Sequence, residues 1–224
     1  MRQPSLALLR LMRLSSPALP VGAYAYSQGM ESAVAIEWVT DRDTAAQWIE
    51  GVMTAMLTPV DMAALWRLAQ ARQQGDMDGF WHWNRWLLAS RETSELHFED
   101  VQIGAALWRI LQNLERLEGL SLPVEGISFA AAFALAGIDW QIEAEDLLLG
   151  YGWSWLENQV AAATKLVPLG QTAAQWIIEH LHPVIADCAK TAMQLGDSAM
   201  GASLPGLAFL SATHETLYTR LFRS

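Results

Sequence analysis

Residues Glu143 to Val167 read EAEDLLLGYGWSWLENQVAAATKLV. The apolar side chains follow a helical rather than an alternating period, and no breaker interrupts the 25 residues, so the spacing predicts one long helix. Gly150 and Gly152 lie inside it, and their missing side chains allow a neighbouring helix to come close. Pro168-Leu169-Gly170 stops it. Gln171 to Leu195 is helical again, with Pro183 predicting a kink or a break into two pieces. Gly196 to Gly206 reads as loop, and Leu207 to about Tyr218 as a last helix. Upstream, Pro4 to Leu14 is a first helix, Ser15 to Gly22 a Pro-rich turn, and a second helix restarts near Ser27. Thr40 with Asp43 is expected to cap one helix, and Thr58-Pro59 with Asp61 to open another almost without a loop. Gly75 to Gly79 marks a break, and Phe80 to about Arg116 is helical with an interruption near Arg91. Pro123 and Gly137 to Asp139 bracket a short apolar helix. No Val/Ile/Thr-rich alternating run appears anywhere. The chain is therefore expected to be all-α, a single-domain helical bundle of about eight to ten helices spanning 1–224, with 214–224 as a C-terminal tail.

Composition narrows the function. Fourteen Lys and Arg against 24 Asp and Glu give a net charge of −10, which argues against nucleic acid, since a polyanion needs a basic stripe. Hydrophobic residues make 52% of the 224, and the 15 glycines bring the apolar share to about 59%, against a usual 45–50%. Charged residues are only 17%. Some apolar surface is thus expected to be covered by another protein, with a two-fold homodimer as the commonest solution. No stretch reaches about 18 uninterrupted apolar residues, and Arg10 and Arg13 break the N-terminal run. The chain reads as soluble, without a membrane span, and unexported. The single Cys188 permits no intrachain disulfide and agrees with a reducing cytoplasm.

Catalytic signals are weak. There is no phosphate-cradling Gly-rich loop with Lys-Ser/Thr, no Gly-x-Ser-x-Gly and no His-Glu-x-x-His. Glu179-x-x-His182 is half of a di-iron carboxylate site, and a helical-bundle metalloenzyme completed by carboxylates such as Glu95 and Glu99 is the rival class. The matching second Glu-x-x-His is missing, so neither a metal nor a cofactor is expected. Arg91, Glu92, Glu95, Glu99 and Asp100 form the densest charged run, with Arg91 able to reach Glu95, and read first as a solvated helix face. At the chain end His214, Leu217, Tyr218, Leu221 and Phe222 fall at helical spacing, flanked by Arg220 and Arg223. That amphipathic stripe is expected to dock either on its own domain or in a partner's groove.

Four blocks together carry a resemblance: Leu19-Pro-Val-Gly-Ala-Tyr-Ala-Tyr-Ser-Gln-Gly-Met-Glu31, Arg91-Glu-Thr-Ser-Glu-Leu96, Lys165-Leu-Val-Pro-Leu-Gly-Gln171 and His214-Glu-Thr-Leu-Tyr-Thr-Arg-Leu-Phe-Arg-Ser224. In this order they resemble the recurrent blocks of the urease accessory protein UreF family. The resemblance implies an all-helical, dimeric, non-enzymatic scaffold that helps load nickel into apo-urease. It would bridge UreD (also called UreH) and the GTPase UreG, and influence when UreG hydrolyses GTP. Partner contacts are implied at Tyr24, Tyr26 and Glu31, at Arg91, Glu92 and Glu95, and at Lys165 and Pro168. In the last block they are implied at His214, Glu215, Leu217, Tyr218, Arg220, Leu221, Phe222 and Arg223.

Overall fold

The computed structural model describes residues 4–117 and 119–224, and among these there is helix but no strand. The helices are α1 (Pro4–Leu14), α2 (Met30–Ala35), α3 (Arg42–Val52), α4 (Ala63–Gln74), α5 (Met77–Ala89), α6 (Ser94–Asn113), α7 (Phe129–Asp139), α8 (Ala144–Leu166), α9 (Gln171–Gln194) and α10 (Pro205–His214). They form one all-α domain around a continuous core. At its centre sits α7, whose sequence FAAAFALAGID is apolar on every side. A helix without a polar face must be enclosed, and α7 packs against α1, α4, α6 and α8. The long α8 lies beside α9 and also touches α1, and its two glycines make room for one neighbour each, Gly152 for α9 and Gly150 for α1. A Cβ on Gly150 would meet Leu11 Cδ1 at 2.5 Å, and one on Gly152 would meet Ile185 Cγ2 at 3.0 Å.

Three local expectations are corrected. Asp41, not Thr40, caps α3: its carboxylate accepts from Thr44 N–H at 2.9 Å, and Thr44 Oγ1 accepts from Asp41 N–H at 3.0 Å. Thr58-Pro59 opens no helix. Residues Met53–Met62 are a π-helical segment joining α3 to α4 without a break. Pro59 has no N–H for the α-helical ladder, and a wider turn accommodates it. Thr58 Oγ1 donates to the Met53 carbonyl at 2.7 Å, and the Pro59 carbonyl accepts from Gly201 N–H at 3.0 Å. Pro183 does not divide α9, which runs as one helix past it. Among the described residues, no helix is long and apolar enough to cross a membrane.

Candidate partner-docking face

The first block turns the chain sharply. Gly22 adopts φ 82°, leading into a short 3-10 turn over Ala23–Ala25, and then Gln28 (φ 53°) and Gly29 (φ 80°) lie in the left-handed region one after the other. That conformation is unfavourable for Gln28, and its side chain explains why it holds. Its Nε2 donates to Glu99 Oε1 and its Oε1 accepts from Trp155 Nε1, each at 2.7 Å. The reversal brings Ser27 and Glu31 against the other end of the chain.

That end is not a helical stripe. The last helix stops at His214, and residues 215–224 leave it in turns and bends. Buried carboxylates explain the change. Glu31 accepts backbone N–H groups from Leu221 at 2.6 Å and Phe222 at 2.9 Å, and charge-assisted bonds of this kind are stronger than those between neutral groups. His214 is wholly buried, with Nε2 at 3.0 Å from Glu31 Oε2 and Nδ1 at 3.0 Å from Glu95 Oε2. Arg220 Nη1 reaches Glu95 Oε1 at 3.1 Å, and Ser94 Oγ donates to Glu215 Oε1 at 2.5 Å. Ser27 donates through both N–H and Oγ to the Ser224 carbonyl, each at 2.7 Å, and Arg223 N–H donates to the Ala25 carbonyl. Within the tail Phe222 turns inward and is buried, while Tyr218 and Leu221 face outward. At the end of α8, the Lys165 ammonium lies 5.3 Å from the Phe222 ring centroid and 6.0 Å from that of Tyr24, between two cation-attracting faces.

Segments from residues 19–31, 91–96, 165 and 214–224 thus meet on one side of the molecule. A UreF family profile matches residues 39–182, and proteins named "Urease accessory protein UreF" align along almost the whole chain. That of Teredinibacter turnerae is 48% identical over 219 residues, covering 97% of this chain and 98% of the relative. That of Hahella chejuensis is 45% identical over 221 residues, covering 99% and 100%. That of Chromohalobacter salexigens is 44% identical over 219 residues, covering 98% and 95%. The chain belongs to the UreF family.

Within this UreF-family fold the residues singled out from sequence differ in exposure. Tyr24, Glu92, Lys165, Pro168, Glu215, Tyr218, Arg220, Leu221 and Arg223 are exposed. Tyr26, Glu31, His214 and Phe222 are buried in the isolated chain. Leu217 and Glu95 are half-buried. Arg91 does not pair with Glu95, and the run it belongs to is no solvated face. Its guanidinium sits between Asp61 at 2.6 Å and Asp100 at 2.8 Å, and Tyr151 donates to Asp61 at 3.2 Å. Asp100 also accepts from Phe129 N–H at the start of α7. Glu92 holds the 196–204 loop through Ser203 Oγ at 2.6 Å and Leu204 N–H. The structural parts played by Asp61, Asp100, Gln28 and Ser27 were not foreseen, because each depends on a partner far away in sequence.

The residues of the rival di-iron reading are not brought together. Glu179 and His182 approach each other at 3.4 Å and His182 lies against Trp153, whereas Glu95 and Glu99 turn toward the tail and Gln28. Among the described residues, no group of three or more His, Cys, Asp or Glu side chains is placed to hold a metal ion.

Glu99 gives the face a pH dependence. Burial raises its carboxyl from 4.5 to about 7, against the opposing hydrogen bonds from Gln28 and Ser224. The folded state therefore holds this proton more tightly than the unfolded state does, and stability is lost as pH rises from 4.5 through about 7. Glu99→Gln keeps the shape, with an amide that accepts from Gln28 and donates to Ser224 Oγ. Urea midpoints at about pH 5 and about pH 7.5 should differ less in Glu99→Gln than in the native chain. An equal difference would mean that Glu99 takes no part.

Proposed function

We propose that this chain is a non-catalytic scaffold of urease maturation, needed for nickel insertion into apo-urease. In this reading it bridges UreD (UreH) and the GTPase UreG in the cytoplasm and gates GTP hydrolysis by UreG. Nickel is the cargo of the assembly, and the chain itself carries no cofactor. The observation behind the proposal is the meeting of four distant segments on one face that presents exposed aromatic and cationic groups, Tyr24, Lys165, Tyr218, Arg220 and Arg223. Aromatic residues and arginine are the side chains that most often anchor protein interfaces. Tyr218 and Leu221 form the UreD-facing part, and Lys165 with the Pro168 turn forms the UreG-facing part. A homodimer is proposed as the working unit, supported by Leu8, Leu9 and Met12 standing exposed along α1.

Lys165 supplies the test. Its contributions to stability are small: a cation in the last turn of a helix is worth about 0.3–1 kcal/mol, and an exposed cation–π contact about 0.5–1 kcal/mol. Lys165→Ala should leave the melting temperature within a few degrees, on the order of 2–4 °C per kcal/mol, while changing UreG capture or GTP turnover in a complex with UreD and UreG. A large stability loss with unaltered UreG behaviour would assign Lys165 to the fold alone. A chain that captures neither UreD nor UreG in a pull-down, separately or together, sinks the bridging role itself.

A further inference from the structure

His214 is closed to solvent, yet each of its ring nitrogens lies 3.0 Å from a carboxylate oxygen, Glu31 of α2 on one side and Glu95 of α6 on the other. A neutral imidazole carries one N–H and can donate to only one of them. Its second nitrogen would then point a lone pair at a carboxylate oxygen, and the two would repel without water to separate them. Satisfying both contacts takes one further proton, on the ring or on a carboxyl. Of the charges facing this node, the carboxylates favour it and the one cation in contact opposes it. Arg220 reaches Glu95 from the tail, while Glu215 follows His214 directly and Glu99 lies one helical turn beyond Glu95. Lys165 is engaged at the Phe222 ring. Burial raises the Glu95 carboxyl above its ordinary range, so a proton there is retained more readily as well.

The same node holds residues 215–224. Glu31 takes the Leu221 and Phe222 amides on the carboxylate that faces His214, and Glu95 takes Arg220. We infer that residues 215–224 form a proton-held strap, closed while the Glu31–His214–Glu95 node carries its extra proton and loosened when that proton is removed. The sign follows from linkage: the closed state binds one proton more than the open one, so closure weakens as pH rises. Loosening would expose Phe222 and Glu31 and dissolve the surface formed by Tyr218 and Leu221. The inference concerns closure of the strap itself and stands whether or not UreD docks there.

Hydrogen exchange of the Leu221 and Phe222 amides in the isolated full-length chain reads the strap directly. After correction for the intrinsic pH dependence of exchange, protection should fall about tenfold or more between about pH 5.5 and about pH 8.5, as expected for losing one bond to a charged group. Glu95→Gln separates the node from other titrating groups. Its amide can donate to Nδ1 of a neutral His214 and accept from Arg220, leaving Nε2–H for Glu31, so both contacts survive without the extra proton. That variant should keep the two amides protected at both pH values. Equal protection at the two pH values in the native chain overturns the inference. So does a Glu95→Gln chain whose protection falls as steeply as the native one, because the controlling proton would then lie elsewhere, at Glu99 for example.

Discussion

Removing residues 215–224 is expected to leave a folded protein that no longer captures UreD. The deleted segment contains no helical residue, so the far-ultraviolet helical signal per molecule should be retained. Its contribution to the core is narrow: Phe222 is the one large buried side chain it provides, and burying a Phe is worth roughly 1.5–3 kcal/mol. Lost backbone entropy on fixing the segment opposes that gain and the bonds to Glu31. The melting temperature should therefore move by only a few degrees. UreD capture, by contrast, would lose Tyr218 and Leu221 together. Aromatic interface anchors commonly cost 2 kcal/mol or more each on truncation, so affinity should fall by about 100-fold or more. Normal UreD binding by the shortened chain would remove the tail from the interface. Global unfolding would instead make the strap an integral part of the core, through the three carboxylates that it covers.

Arg91→Met is expected to be the most destabilising single change on this face. The guanidinium is the cation shared by Asp61 and Asp100, whose side chains are 6% and 5% exposed. Leaving buried carboxylates uncompensated costs about 3–5 kcal/mol, whereas replacing a whole buried ion group by neutral residues is often tolerated. For a chain of this size that corresponds to a fall in melting temperature on the order of 10 °C. Adding Asp61→Asn and Asp100→Asn to Arg91→Met should recover a substantial part of the loss, because the charges left behind cause most of it. A melting temperature within about 2 °C of native for Arg91→Met would show that the carboxylates find water or protons easily, and that the triad does little for the fold.

The periodicity of the sequence determined the fold class and most of the helix order, because burying one face of a helix depends on neighbours three and four positions away. Residues 144–166 and the apolar α7 are legible in that way, as are the break between α5 and α6 and the close approach at Gly150 and Gly152. The four blocks determined the family. Contacts with distant residues lay beyond local reading. Pro59 looks like a helix start, but α3 and α4 continue through a π-helical segment that absorbs its missing N–H. Glu92, Glu95 and Glu99 have the spacing of a solvated face, yet the fold sets a loop, a buried histidine and Gln28 against them. The tail has helical spacing from His214 to Phe222, and a helix would have satisfied its backbone locally. Only the tertiary structure places the Glu31 carboxylate, about 190 residues away in sequence, where it takes two of those amides in a largely buried site. There a charge-assisted bond outweighs the helical one, and the chain follows it.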